Sequence, residues 1–401
     1  MPLVNMQEML NHAYQNGYAV GGFDLVSLDF LEAIMQAAEV TRSPVILSLA
    51  ESHFEHYDFK LAMAAAELAG KRANVPVAIH LDHGASYKSA VKAINAGCNG
   101  VMVDASHHSF ADNVAMTQKV VTMAHACGVP VEGELGYVAG VEGEDAEKHP
   151  GEVVYTSVAE ASRYVEQTEV DFLAVSIGTV HGRMRGVPKL DLDRLKRINE
   201  ALNIPLVIHG GTGLSDEQFR DLINNGVAKI NYYTALADAA GERIRYNIDE
   251  NGRSGYTSIV QGTREAIRAE VERCMVNWGS AGQAEAVLAN VTEWQPVHHV
   301  IIFNVAETSE LPVEKMLSEG EAVLSKIPGV RRVLTGTAVQ EEAKFRFCWL
   351  IEFVHDNVIA SYRDHPDHVD FANNLFRPVA ADRISIDFIE SPTSSDCNKN
   401  C

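Results

Sequence analysis

The sequence predicts an eight-stranded parallel α/β barrel, a (β/α)8 fold, followed by a small α+β domain. Three observations predict it. Eight short apolar runs recur at about 19–24, 44–50, 76–81, 100–104, 130–134, 171–176, 205–209 and 227–231. Amphipathic stretches of helical period separate most of them, which is the pattern of parallel βαβ units, and eight such units close into a barrel. From His298 onward the pattern changes to strands that are not regularly interleaved with helices. An open doubly wound sheet is the competing fold. It lacks support because no G-x-G-x-x-G fingerprint follows the first strand.

The elements follow in order. Leu28–Val40, Phe59–Ala73, Tyr87–Ala96 and Asp112–Cys127 read as barrel helices. Ala96-Gly97, Cys127-Gly128 and Asn225-Gly226 are stop signals, and Ser215 with Glu217 and Gln218 is a start signal. Residues 136–156 are rich in glycine and acids and read as a long loop of the lid type. A further helical region is expected at 257–278. The barrel is assigned to 1–285, a linker to 286–296 and the second domain to 297–390. Within that domain H-H-V-I-I-F-N-V, V-R-R-V-L-T-G-T-A-V, F-R-F-C-W-L-I-E-F and R-I-S-I-D-F-I are strands. Pro312–Lys326, Val358–Arg363 and Pro366–Phe376 are helices. The polar tail 391–401 reads as disordered.

Composition excludes several classes. A net charge of -21 and a pI near 5.1 repel nucleic acid and anionic lipid, so neither is an expected partner. An anionic substrate then needs a local positive centre, which a divalent metal provides. The six cysteines are scattered with no C-x-x-C pair, so free thiols are expected rather than a disulfide framework. No segment reads as a secretion signal or a membrane span, and a cytoplasmic location is expected.

Three histidines stand where apolar runs end, each followed by Gly: His83 in V-A-I-H-L-D-H-G, His181 in A-V-S-I-G-T-V-H-G, and His209 in L-V-I-H-G-G-T-G. In a βα barrel the C-terminal strand ends share one face, so these residues converge despite their separation. Three imidazoles make an open metal site with a coordination position left for substrate. Asp82, beside His83, is read as a proton carrier rather than as support for the ligand. His80 is read as a packed, hydrogen-bonded core histidine rather than a ligand. Asp104 and Glu134 end the fourth and fifth runs, as further metal ligands or as mouth carboxylates. Glu142, on the loop, is either a general base that enters on closure or a solvated acid. Gly182, Gly210, Gly211, Thr212 and Gly213 offer backbone donors for a phosphate. Asn231 and Thr234 follow the eighth run, where barrels often hold phosphate.

These motifs resemble the class II, zinc-dependent ketose-bisphosphate aldolases over about residues 1–285. The resemblance is carried by H-L-D-H-G, G-E-L-G-x-x-x-G-x-E, A-V-S-I-G-T-x-H-G, K-L-D-L-D-R-L, I-H-G-G-T-G and K-I-N-x-x-T, with G-S-A-G-Q-A near Gly279. It implies that His83, His181 and His209 hold a catalytic Zn2+, and that Asp104 and Glu134 serve a second divalent ion. A monovalent cation is a further implied cofactor. It implies that Asp82 is the proton donor in condensation and the base in cleavage. Glu142 would exchange the proton of dihydroxyacetone phosphate, and Gly182, Gly210, Gly211, Thr212, Asn231 and Thr234 would bind that product. Ser48 is placed at the substrate pocket. Arg264 would reach the substrate phosphate of a neighbouring subunit, so a homodimer or homotetramer is expected. The expected reaction is reversible aldol cleavage of a ketose (bis)phosphate to dihydroxyacetone phosphate and an aldehyde.

The chemistry agrees with the resemblance. Removing a proton beside a ketone creates negative charge that needs an electron sink, either a Lewis acid or a lysine Schiff base. The sixth run, D-F-L-A-V-S-I-G, holds no lysine, and Lys229 is read as structural or phosphate-side. The pocket edge departs from the family pattern at Phe23-Asp24, at Ser48-Leu49-Ala50-Glu51-Ser52, at Tyr232-Tyr233 and at Ala139. The C-terminal unit resembles the stress-responsive dimeric α/β-barrel domains, which are ferredoxin-like. Its H-H-V-I-I-F, I-P-G-V, S-Y-R-D-H-P-D-H and I-S-I-D-F segments carry that resemblance, and assembly is its expected role. His365 and His368 are read as capping and packing residues. A metal hydrolase is disfavoured because the first strand lacks an H-x-H pair. A non-catalytic sugar-phosphate scaffold is disfavoured because both Asp82 and Glu142 are present.

Overall fold

The computed structural model describes residues 2–146, 154–183, 189–307 and 311–390, without the side chains of Val141 and Glu142. The tail at 391–401 therefore lies outside the described residues. Fourteen strands are described. In the first unit they are β1 (Val20–Asp24), β2 (Val45–Ala50), β3 (Val77–Gly84), β4 (Gly100–Val103) and β5 (Val131–Leu135). They continue with β6 (Gly140–Asp145), β7 (Phe172–Val175), β8 (His181–Arg183), β9 (Leu206–Ile208) and β10 (Val227–Tyr232). The second unit holds β11 (Val297–Val305), β12 (Val330–Thr337), β13 (Phe347–Phe353) and β14 (Ala380–Ile389).

Eight strands close a parallel barrel in the order β1-β2-β3-β4-β5-β7-β9-β10. The eight expected runs are these eight strands. β1, β2, β4 and β5 are buried at every residue, as strands covered outside by helices and filled inside by side chains must be. One end of the barrel is plugged. The helix Met6–Asn16 is capped by Asn5, whose side chain accepts from the Glu8 amide, and ends at Gly17 in the left-handed region. Its Met6, Met9 and Leu10 pack with Ile46, Ala78 and Ala228, each near the start of its strand. The strands' C-terminal ends are therefore left as the mouth.

Two expectations need correction. Residues 136–156 are not one loop: β6 lies inside them and pairs in parallel with β8, as a two-stranded ribbon apart from the barrel. Residues 147–153 of that stretch lie outside the described residues. The expected linker, 286–296, begins inside a helix, Ala284–Asn290. Ala284 and Val287 lie three residues apart on one helical face, and both are buried.

By contacts the chain divides into two compact units, the second containing Trp294 onward together with 91–97 and 122–129. In the C-terminal domain the sheet is antiparallel, ordered β12-β13-β11-β14. Its helices include Val313–Leu324, Val358–Asp364 and Pro366–Phe371. Cys98, Cys127, Cys274 and Cys348 are free thiols, while Cys397 and Cys401 lie outside the described residues. Among the described residues no helix is long and apolar enough to cross a membrane.

Candidate active site

The end of β3 builds the centre of the mouth. On a regular strand adjacent side chains point to opposite faces, so Asp82 and His83 would diverge. The pairing of β3 with β4 slips between Leu81 and Gly84, and His83 adopts a φ of 46°. A non-glycine residue in the left-handed region stores strain of roughly 1–3 kcal/mol, which clusters at functional sites. The bulge lets the two neighbours share one site. Asp82 is fully buried and accepts from Asn231 Nδ2 at 2.8 Å, across the barrel on β10. Its other oxygen has no hydrogen-bond partner among the described residues. Burial alone would raise the Asp82 carboxyl, but His83, His209 and Lys229 hold it well below the usual carboxylate range.

His83, His181 and His209 do converge: one ring nitrogen of each lies within 4.8 Å of the others. His209 Nδ1 faces His83 Nε2 at 3.0 Å, with the rings nearly perpendicular. Two ring nitrogens aimed at each other at that distance, with a third beside them, suit one cation better than one proton. The remaining nitrogens are held from outside. His83 Nδ1 bonds Asp104 Oδ2 at 2.8 Å, His209 Nε2 bonds Glu132 Oε1 at 3.0 Å, and His181 Nδ1 bonds the Val138 carbonyl at 3.1 Å. Such outer bonds fix the tautomer and aim the ligand atom.

His181 is not at a barrel-strand end as expected. β7 stops at Val175, and the chain travels on to β8 before presenting His181. The β6–β8 ribbon carries it: the His181 amide donates to the Ala139 carbonyl at 2.7 Å. The Gly143 amide donates to Thr234 Oγ1 at 3.0 Å, and Arg183 reaches both the Gly143 carbonyl and Asp238. Glu142 lies on β6, but its side chain is outside the described residues. Gly210 has a φ of 71°, and a Cβ there would meet the Val180 carbonyl oxygen at 2.2 Å. Only glycine lets the loop after His209 pass that close to the loop before His181. Gly182 also has positive φ, and Gly211 and Thr212 continue the same turn.

A second group of potential ligands, His83, Asp104 and Glu134, also lies within 4.8 Å of one another. Burial and then the nearby Asp104 push the Glu134 carboxyl up to about 7. Ser48 is buried on β2 with no hydrogen-bond partner for its hydroxyl among the described residues. A Cβ on Gly22 would lie 3.1 Å from Asn231 Oδ1 and 3.2 Å from Ser48 Oγ, so this glycine keeps a small space between them. Arg264 is not brought into this cluster. It pairs with Asp29 Oδ1 at 3.1 Å and with Glu32 on the helix Leu28–Thr41.

Glu132 escaped the sequence reading. It is fully buried and joins His209 to Lys229, whose Nζ lies 2.6 Å from Glu132 Oε2, with His80 at 3.7 Å. Burial would raise Glu132, but Lys229 and His209 bring it down to about 2. Burial and Lys229 push His80 down to about 3, so it stays neutral. It is packed in the core as expected, but neither ring nitrogen has a hydrogen-bond partner among the described residues, which corrects the expectation of a hydrogen-bonded histidine. The signal was present: in Val131-Glu132-Gly133-Glu134 the two acids are two residues apart on one strand and share a face.

The family described as "Fructose-bisphosphate aldolase class-II" matches residues 4–283, and the "Stress Responsive A/B Barrel Domain" matches residues 297–390. A "Probable fructose-bisphosphate aldolase" of Bacillus subtilis (strain 168) is 43% identical over 291 residues, 71% of this chain and 100% of that protein. A fructose-bisphosphate aldolase of Geobacillus stearothermophilus is 42% identical, covering 71% and 99%. The crystal structure of the YdjI aldolase from Escherichia coli K12 superposes with a TM-score of 0.63 at 32% identity, covering 70% of this chain and 99% of that one.

Proposed function

Because the chain belongs to the class-II fructose-bisphosphate aldolase family and is therefore a carbon–carbon lyase, we propose that it acts through Zn2+. The proposed reaction is reversible cleavage of a ketose bisphosphate, or a related ketose phosphate, to dihydroxyacetone phosphate and an aldehyde. The observation that carries this reading is the convergence of three imidazole nitrogens beside the buried Asp82–Asn231 pair.

His83, His181 and His209, whose ring nitrogens lie within 4.8 Å of one another, are a donor set that would hold Zn2+. When bound, Zn2+ supplies Lewis-acid polarisation of the substrate ketone. The residues perform the rest. In cleavage, Asp82, held ionised, takes the proton of the C4 hydroxyl as the C3–C4 bond breaks and the aldehyde leaves. Asn231 fixes the Asp82 carboxylate by donating to one oxygen and leaves the other for the substrate. Glu142 returns a proton to the carbon of dihydroxyacetone phosphate. Backbone amides at Gly182, Gly210, Gly211 and Thr212, with Thr234, hold the phosphate. Asp104 and Glu134 accept a second divalent ion next to His83. A monovalent cation and Arg264 of a neighbouring copy complete the phosphate sites, and Ser48 meets the substrate beside Asn231. The barrel is assigned to 1–285 and the accessory domain to 297–390.

The C-terminal sheet supports assembly of two copies of a cytoplasmic enzyme. Leu334, Leu350, Val300 and Ile386 form one row across all four strands. Leu334, Leu350 and Ile386 are 37%, 43% and 48% exposed, and a row of that kind suits a second sheet.

The test is a chelation and substrate-panel assay. Removal of metal abolishes release of dihydroxyacetone phosphate from fructose and tagatose 1,6-bisphosphates and from ketose 1-phosphates, and Zn2+ restores it. Activity that survives chelation and is trapped by borohydride overturns the metal reading.

A further inference from the structure

We infer that the C-terminal domain holds a second small-molecule site, a pocket for an anionic head on an apolar body, such as a medium-chain carboxylate. A cavity of about 310 Å3 lies between one face of the sheet and the helices Val358–Asp364 and Pro366–Phe371. That volume is at the lower end of the range for small-molecule pockets.

The cavity wall is divided. Alternate residues of β13, namely Trp349, Ile351 and Phe353, form an apolar side, which Phe371 and Phe376 extend. Alternate residues of β14, namely Arg383, Ser385 and Asp387, form a polar side. His299 on β11 stands in register between Ile351 and Asp387 and bonds the Asp387 carboxylate at 2.7 Å. An apolar wall facing a polar rim suits a ligand with two unlike ends.

The rim is cationic. Arg363, Arg377 and Arg383 line the cavity, against Asp387 as the one acidic residue among the lining residues, already engaged by His299. Such a cluster runs counter to a chain of net charge -21. Arg363 pairs with Asp364, and Arg377 bonds Asn373. Arg383 has no carboxylate partner among the described residues, so an incoming anion meets an uncommitted guanidinium there.

The indole gives an independent sign. Trp349 is 1% exposed, and its Nε1 donor has no acceptor among the described residues. A buried indole N–H normally finds a partner. A ligand oxygen within the cavity satisfies it. His365, by contrast, caps its own helix as expected, accepting from the Asp367 amide.

The experiment uses the full-length, Zn2+-loaded chain. Octanoate is titrated by calorimetry and by tryptophan fluorescence, beside 1-octanol, acetate and inorganic phosphate. Octanoate is expected to bind once per chain and to change the fluorescence. Octanol, acetate and phosphate each bind at least about tenfold more weakly, the loss of one charge-assisted contact or of the apolar body. Arg383→Glu weakens octanoate by at least about tenfold, and Trp349→Phe removes the fluorescence change. Aldolase turnover stays unchanged in both, and an unchanged circular-dichroism spectrum and unchanged thermal unfolding of the C-terminal unit show that they fold. Ile386→Asp, on the opposite face of the sheet, retains binding. Absence of saturable binding overturns the inference, as does equal affinity for octanol. Loss of binding in Ile386→Asp with retention in Arg383→Glu also overturns it, by placing the ligand on the outer face.

Discussion

The barrel buries charge, whereas the C-terminal sheet exposes hydrocarbon. Inside the barrel Asp82, Glu132, Glu134 and Lys229 are all at most 1% exposed. On β14, Ile384, Ile386, Phe388 and Ile389 are 42–55% exposed. Each region inverts the usual rule of apolar inside and charged outside. The inversions have different physical consequences. Buried charge must be compensated within the chain, and the Glu132–Lys229–His209 cluster does so. Exposed hydrocarbon is compensated only from outside, by another surface or molecule.

The contrast is sharpest where chemistry is concerned. Asp82→Ala should lower kcat by about 10²–10⁴-fold, the usual contribution of a general base, while Zn2+ content by elemental analysis stays intact. His181→Ala should lose the metal itself. If Asp82→Ala turns over normally, the buried acid is architectural and the contrast fails. Next in size is Lys229→Met, which strands Glu132 without its cation. Breaking a buried pair costs about 3–5 kcal/mol, so denaturant melts should show a large loss of barrel stability. The double variant Glu132→Gln with Lys229→Met should recover part of it.

A smaller effect comes from pH. His80 has its pKa lowered to about 3 by burial and then by Lys229. A depressed folded value means the unfolded chain binds the extra proton first. The stabilisation is complete above the ordinary value near 6.5 and drains away as pH falls toward 3. Denaturation midpoints between pH 7 and pH 5 should therefore decline, and less steeply in His80→Gln. The smallest effect on stability should come from Ile386→Asp, within about 0.5 kcal/mol because the site is exposed. It should nonetheless shift the mass in light scattering toward the single chain. An unchanged mass would remove the sheet from the assembly.

Most of the barrel was legible because a parallel strand buried on both faces must read as an apolar run. The convergence of His83, His181 and His209 was legible because each stands after an apolar run and glycine follows each. What was missed has local causes. The bulge that turns His83 beside Asp82 leaves no mark in residue type, since His is an ordinary strand-end residue. His181 was placed on the wrong element because Ile177 extends the apolar pattern past Val175, where β7 ends. The short ribbon of β6 and β8 was hidden by glycines and acids that weaken any strand signal. Glu132 was overlooked, although its spacing from Glu134 exposed it. The apolar row on the outer sheet face was written in the alternation of R-I-S-I-D-F-I, but the pairing that aligns it across four strands is a property of the folded sheet.

The bond from His181 Nδ1 to the Val138 carbonyl would make an imidazole of the proposed metal site a reporter of loop order. The same stretch continues into the strand bearing Glu142. Anything that tightens this stretch aims His181, and anything that occupies His181 tightens the stretch. Reciprocity then applies: the free energy by which a bound cation quiets the loop equals the free energy by which a quiet loop raises cation affinity. A metal-buffer titration is thus also a measurement of how the loop behaves.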